Sequence, residues 1–189
     1  MGILQASFRT DYDHYQGCPL APIELIQYGD FQCPHCADVY PVIKWLLDSF
    51  GDLLKFVYRH YPMPTRHPLS LQAAVATEAA ALQGKFWYMH DMIFENQKYL
   101  TRTSFSEFAR EIDLDSRAFE DCREHRKLFR KVISDFESGV KSGVDSTPTF
   151  FINGARYDGF DDFDNLYSAL HNINHFEFST TERPNRQLR

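Results

Sequence analysis

Two cysteines enclosing a proline and a histidine, Cys33-Pro34-His35-Cys36, lie between an apolar run, Ile23 to Tyr28, and a segment with helical periodicity. That junction constrains the chain more than any other feature. The run is apolar at nearly every position, as in a central strand covered on both faces. Val39, Val42, Ile43, Leu46, Leu47 and Phe50 then recur at helical spacing. Cys33 occupies the N-cap position, Pro34 the first helical position that proline favours, and Gly51 the stop. Pro41 falls inside the helix and predicts a kink. The sequence therefore places one thiol at a helix N-terminus and the other one turn along.

Leu53 to Arg59 is a second strand rich in Phe, Val and Tyr. From Tyr61 to Ser146 the periodicity becomes helical. Leu69 to Leu82 is Ala-rich and Gly84 breaks it. Phe86, Met89, His90, Ile93 and Phe94 form the next apolar stripe. Ser104 with Glu107 predicts a capping box ahead of Phe105, Phe108, Ala109 and Ile112. Ala118, Phe119 and Cys122 make a short stripe, and Phe129, Val132, Ile133, Phe136 and Val140 a longer one. Strands return at Thr149 to Asn153. Asn153-Gly154 predicts a two-residue hairpin that pairs Ala155 to Asp158 back. Asp161 or Asp162 caps a final helix with Phe163, Leu166, Tyr167 and Leu170 inward. The order is β-α-β, a helical block, then β-β-α. It divides into an N-terminal arm (1–19), a split core (20–62 and 146–173), an inserted helical subdomain (63–145) and a polar tail (174–189).

Hydrophobic residues make up 43% and charged residues 24%, so the chain is globular rather than disordered. A net charge of −6 and the absence of basic runs exclude a nucleic-acid footprint. No apolar stretch reaches the roughly 18 residues of a membrane span. The first 16 residues carry Arg9, Asp11, Asp13 and His14 instead of an apolar leader, which predicts a cytoplasmic protein as the sequence stands, or a periplasmic one if a leader has been removed. The chain is read as a monomer. Four cysteines suit one reactive pair and two bystanders, Cys18 and Cys122, the latter read as a buried thiol.

The thiolate attacks disulfides, and a free thiol titrates near about 8.5. Reaching about 7 takes roughly 2 kcal/mol, more than a helix N-terminus usually supplies at about 0.3–1 kcal/mol. The His35 imidazolium is expected to supply the remainder, together with first-turn N–H groups. Cys36 can close a disulfide with Cys33 and release a mixed disulfide. A second element is Ser146-Thr147-Pro148-Thr149-Phe150, where a proline opens a buried strand, a position it rarely holds without a role.

Asp30-Phe31-Gln32-Cys33-Pro34-His35-Cys36, Phe56-Val57-Tyr58-Arg59-His60, Phe86-Trp87-Tyr88-Met89-His90-Asp91 and Gly143 to Gly154 resemble the DsbA family of thiol–disulfide oxidoreductases, across roughly residues 12–172. Some members of that family are fused to sodium/proton antiporters. The resemblance implies a thioredoxin fold with a helical insertion in its middle. It also implies a cis Pro148 facing the cysteines, with the Thr147 backbone open to substrate, and an oxidising pair. Its potential is expected above the roughly −270 mV of thioredoxin, at about −180 to −230 mV. The sequence departs from the wider pattern at Gln27, where many relatives bury an acid, and at Thr147, where oxidases of the family carry Val and isomerase-type relatives often carry Thr.

The expected catalytic set is Cys33, Pro34, His35 and Cys36, with Thr147 and Pro148 for substrate. The expected partners are protein thiols and disulfides, plus a separate redox protein or glutathione. No cofactor is expected beyond the Cys33–Cys36 disulfide, and no metal. Two other readings use the same residues: a cytoplasmic disulfide reductase, and a zinc or chaperone-like module with Cys33 and Cys36 among its ligands. The second needs His171 and His175, on a different element, and there is no second CxxC. His90 is read as a core histidine, and His60 and His67 as packing residues.

Overall fold

A computed structural model describes residues 2–123, 125–159 and 165–173. Its centre is β2 (Ile23–Gly29), of which only Glu24 is not fully buried. On one side β2 pairs in parallel with β3 (Leu54–His60), and on the other antiparallel with β4 (Thr149–Ile152). Strand β5 (Ala155–Tyr157) pairs antiparallel with β4, and β1 (His14–Gly17) antiparallel with β3. The sheet order is β1-β3-β2-β4-β5. The β1 strand lies within a stretch whose side chains show no periodicity. Its place is set by backbone pairing to the edge of β3.

Helix α1 (Pro34–Phe50) makes the crossover from β2 to β3. It runs through Pro41 without interruption and ends at Gly51, whose φ of 51° suits a residue without a side chain. The helical block comprises α2 (Ser70–Ala81), α3 (Phe86–Glu95), α4 (Ser104–Glu111), α5 (Ser116–Arg123) and α6 (Arg126–Lys141), with Gln97–Tyr99 a short 3-10 turn after α3. Residues 165–173 form a further helix. The sequence-assigned cap at Asp161 or Asp162, with Phe163, falls outside the described residues, as does His175 of the His171–His175 pair.

The three central strands, β2, β3 and β4, bury both faces, which explains their largely apolar runs. Ile23, Leu25, Phe56, Tyr58, Phe150 and Ile152 join the core beneath α1 and the helical block. Ile26, Tyr28, Val57 and Phe151 form a second core with Tyr61 and Val144. Between β4 and β5, Asn153 (φ 46°) and Gly154 (φ 81°) make the hairpin as expected.

Three local expectations are corrected. The Ser104–Glu107 capping box does not form. Thr103 is the N-cap of α4 and makes no side-chain cap bond, while Ser104 Oγ takes a bond from the Thr101 N–H at 3.0 Å. Helix α6 buries Leu128, Val132, Asp135 and Gly139, and leaves Ile133 and Val140 about half exposed (50% and 51%). Two packing demands turn it that way. Asp135 pairs with Lys131 and accepts from the His60 N–H, and at Gly139 a Cβ would lie 2.8 Å from the Tyr61 ring. Cys122 is partly exposed rather than buried.

Candidate active site

The site forms where β2 ends. The Asp30 side chain organises the loop that follows: Oδ1 accepts from the Gln32 N–H at 2.8 Å, Oδ2 accepts from the Met63 N–H at 2.9 Å, and His67 Nδ1 lies 2.8 Å from Oδ2. Gln32 Oε1 accepts from the Leu69 N–H at 2.7 Å. Gln97, reaching across from the turn after α3, donates from Nε2 to the carbonyls of Phe31 (3.0 Å) and Cys33 (2.9 Å). Both segments flanking the cysteines are thus tied to the helical block. Gly29 allows Tyr58 to pack against this turn, since a Cβ there would meet the Tyr58 ring at 2.6 Å.

Cys33 is the N-cap of α1 with extended backbone (φ −72°, ψ 123°), and Pro34 begins the helix. Both thiols are unbonded to any other cysteine. Cys36 is wholly buried, Cys33 is 4% exposed, and Pro34 and His35 face solvent. The Thr147–Pro148 peptide bond is cis, and the Thr147 carbonyl lies 3.2 Å from Cys33 Sγ, where it accepts from the thiol when Cys33 is protonated. Thr147 Oγ1 is buried beside this contact without a hydrogen-bond partner, a free donor for a sulfur anion. The structure therefore brings together Cys33, Cys36, Thr147 and Pro148, whose two segments are 114 residues apart.

The two sulfurs are electrostatically opposite. A hydrogen bond from the Cys36 thiol is the largest influence on Cys33 and lowers its pKa. Burial opposes it, and Thr147 and the N–H groups of Cys36 and His35 assist, leaving Cys33 at about 5. Cys36 is pushed well above the usual thiol range, first by burial and then by its bond to Cys33. The Asp30 N–H, 3.5 Å from Cys36 Sγ, offsets only part of this. One sulfur is a thiolate at neutral pH and its neighbour is the thiol that solvates it.

The His35 imidazolium does not supply the effect expected of it. Its ring is 79% exposed, with Nδ1 3.9 Å from Asp38 Oδ2. The residue acts on Cys33 through its backbone N–H. Gln27 is buried and lines a small cavity with Cys36, Phe56, His90 and Phe94. His90 is a satisfied core histidine, Nδ1 2.9 Å from Asp91. Asp30 and Gln97 escaped the sequence reading, and His67, read there as a packing residue, bonds Asp30 in the active-site loop instead. Asp30 stood in the motif without a chemical role, and no local signal marks Gln97.

Residues 9–172 match the family model described as Thioredoxin. Among curated relatives, a protein named Na(+)/H(+) antiporter NhaA 1 from Mycolicibacterium gilvum is 40% identical over 160 residues, 84% of this chain and 26% of that one. Another of that name from Salinispora arenicola is 36% identical, over 85% of this chain and 24% of that one. The chain thus spans about a quarter of the length of the curated relatives it matches. Among solved structures, α-DsbA1 of Wolbachia pipientis superposes with a TM-score of 0.81 at 20% identity, over 95% of this chain and 98% of the other. Oxidised BdbD of Bacillus subtilis gives 0.77 at 20% identity, covering 92% and 98%. A thioredoxin-like oxidoreductase of Silicibacter pomeroyi gives 0.74 at 23% identity, covering 87% and 93%. The chain belongs to the thioredoxin family, and its fold is that of the DsbA-type structures on which it superposes.

Proposed function

We propose that this chain is a DsbA-like thiol–disulfide oxidoreductase that exchanges disulfides with protein substrates through Cys33 and Cys36 and works as the oxidant. The observation that carries the direction is the pair of opposed thiol affinities, Cys33 held at about 5 and Cys36 pushed up. A stabilised thiolate favours the dithiol over the disulfide, so the disulfide form gives up its bond readily.

In the oxidising cycle a substrate thiolate attacks Cys33 Sγ. The Cys33–Cys36 bond breaks, and Cys36 leaves and takes up a proton. A second substrate thiolate then attacks the substrate sulfur of the mixed disulfide. The substrate leaves with its disulfide, and Cys33 leaves as a low-pKa thiolate, which is the faster kind of leaving group. Two electrons now reside on the dithiol and pass to the disulfide of a separate redox protein, or to glutathione disulfide, which is reduced to two thiols as the Cys33–Cys36 bond re-forms. The cis Thr147–Pro148 segment lines the approach to Cys33, which supports its role as the surface against which substrate backbone lies.

No helix among the described residues is long and apolar enough to cross a membrane. An oxidant of this kind remains a disulfide in an oxidising compartment, whereas the reducing cytoplasm would hold it as the dithiol and leave it a reductase. Trapping tests the roles. Cys36→Ser should accumulate mixed disulfides with protein substrates and Cys33→Ser should not; capture through Cys36 alone refutes the assignment. A potential at or below thioredoxin's roughly −270 mV would make the chain a reductase.

A further inference from the structure

Away from the cysteines, three elements converge on one buried polar cluster. Strand β1 supplies His14, the end of β3 supplies His60, and α2 supplies Glu78. Glu78 Oε1 lies 2.8 Å from Nε2 of His14 and 2.8 Å from Nε2 of His60. One ligand atom from each of the three residues falls within 4.8 Å of the others. His60 is wholly buried and Glu78 nearly so. The walls are aromatic: His14 stacks on Phe86 with ring centroids 3.6 Å apart, and Phe31 lies 5.9 Å from the His60 ring.

Two imidazoles presenting the same nitrogen to one carboxylate oxygen form a donor set suited to a divalent first-row ion. As a purely hydrogen-bonded cluster, each imidazole must keep its proton on Nε2. That leaves His60 Nδ1 a buried nitrogen with no partner. An ion taken between the three residues moves each proton to Nδ1, so His60 still has one unpartnered nitrogen and no new unsatisfied group arises. Bonds of about 2.0–2.2 Å set tetrahedral donors roughly 3.3–3.6 Å apart. Each Glu78–His contact, now 2.8 Å, must therefore open by about 0.5–0.8 Å, and the partly exposed His14 on an edge strand can follow. The neighbouring Lys131 ammonium is already matched by Asp135 at 2.6 Å.

We propose that His14, His60 and Glu78 bind one divalent first-row transition ion of the zinc type, which pins the β1–β3 sheet edge to α2 behind the active-site loop. This site is separate from the Cys33–Cys36 pair and uses neither thiol.

The test is titration of the full chain carrying Cys33→Ser and Cys36→Ser, so that the active-site sulfurs cannot compete for metal. Cobalt(II) should give the visible bands of a low-coordinate site without a near-ultraviolet thiolate-to-cobalt band. One equivalent of zinc should displace it, and zinc should raise the melting temperature. His14→Phe keeps a ring against Phe86 but lacks a nitrogen; it and Glu78→Gln should each weaken zinc binding at least tenfold and abolish the melting shift. The proposal is overturned if the folded parent neither develops cobalt bands nor melts higher with zinc. It is equally overturned if both substitutions leave binding intact, or if binding disappears instead when Cys18 and Cys122 are replaced by Ala.

Discussion

The most informative perturbation of the cysteine pair is pH, because the structure assigns each sulfur a different proton count. Reduction of the disulfide adds two electrons and as many protons as the dithiol holds. Cys33 is lowered from 9.0 to about 5, while Cys36 lies well above 9.0. Below pH 5 the dithiol therefore carries two protons, and from about pH 5 to beyond pH 8 it carries one. For a two-electron couple each proton contributes about 30 mV per pH unit. The potential should fall by about 59 mV per unit below pH 5 and by about 30 mV per unit above it. An unshifted thiol would keep the steeper slope up to pH 9. At pH 7 the thiolate form is therefore worth about 2.7 kcal/mol to the dithiol, or roughly 60 mV. The sign follows from the depressed pKa. Relative to a pair with unshifted thiols, the dithiol gains stability as pH rises through 5, and loses that gain as pH falls through the same value. The assay equilibrates the protein against a redox buffer of known potential at pH 4 to 8 and counts free Cys33 and Cys36 by alkylation and mass spectrometry. A single slope of about 59 mV per unit through pH 8 would refute the reasoning, since it would mean Cys33 remains protonated at neutral pH.

Two substitutions probe what holds the thiolate. His35→Ala, which removes only the exposed ring, should leave the Cys33 titration nearly unmoved, whereas His35→Pro also removes the backbone N–H and should raise it by roughly one unit, the scale of one charge-assisted bond; an equal shift in both, followed by thiolate absorbance, would restore the ring to the mechanism. Gln97→Leu should slow thiol–disulfide exchange several-fold and raise the Cys33 titration, because the Phe31 and Cys33 carbonyls lose their shared donor, and Gln97→Asn should not rescue it, being one methylene too short; an unchanged titration in Gln97→Leu would reduce that residue to a structural tie.

What the sequence determined by itself was decided over a few residues. Cys33 as N-cap, Pro34 at the first helical position, Gly51 at the stop and the Asn153-Gly154 turn all follow from backbone preferences that act within one turn of chain. The β-α-β and β-β-α halves followed from apolar runs, because strands covered on both faces cannot afford polar alternation. Even there, local rules failed where packing competed. Ser104 lost its cap to a tighter turn, and α6 rotated to turn Asp135 and Gly139 inward. Tertiary structure alone decided the electrostatics. Cys33 meets Thr147 across 114 residues, Gln97 meets Phe31 and Cys33 across 66 and 64, and Glu78 joins His14 and His60 across 64 and 18. A hydrogen bond or charge acquires its strength from the solvent excluded around it, and that exclusion exists only once distant segments have packed. For that reason His35, adjacent in sequence, was credited with an effect that belongs to a buried thiol, the Thr147 hydroxyl and two backbone N–H groups.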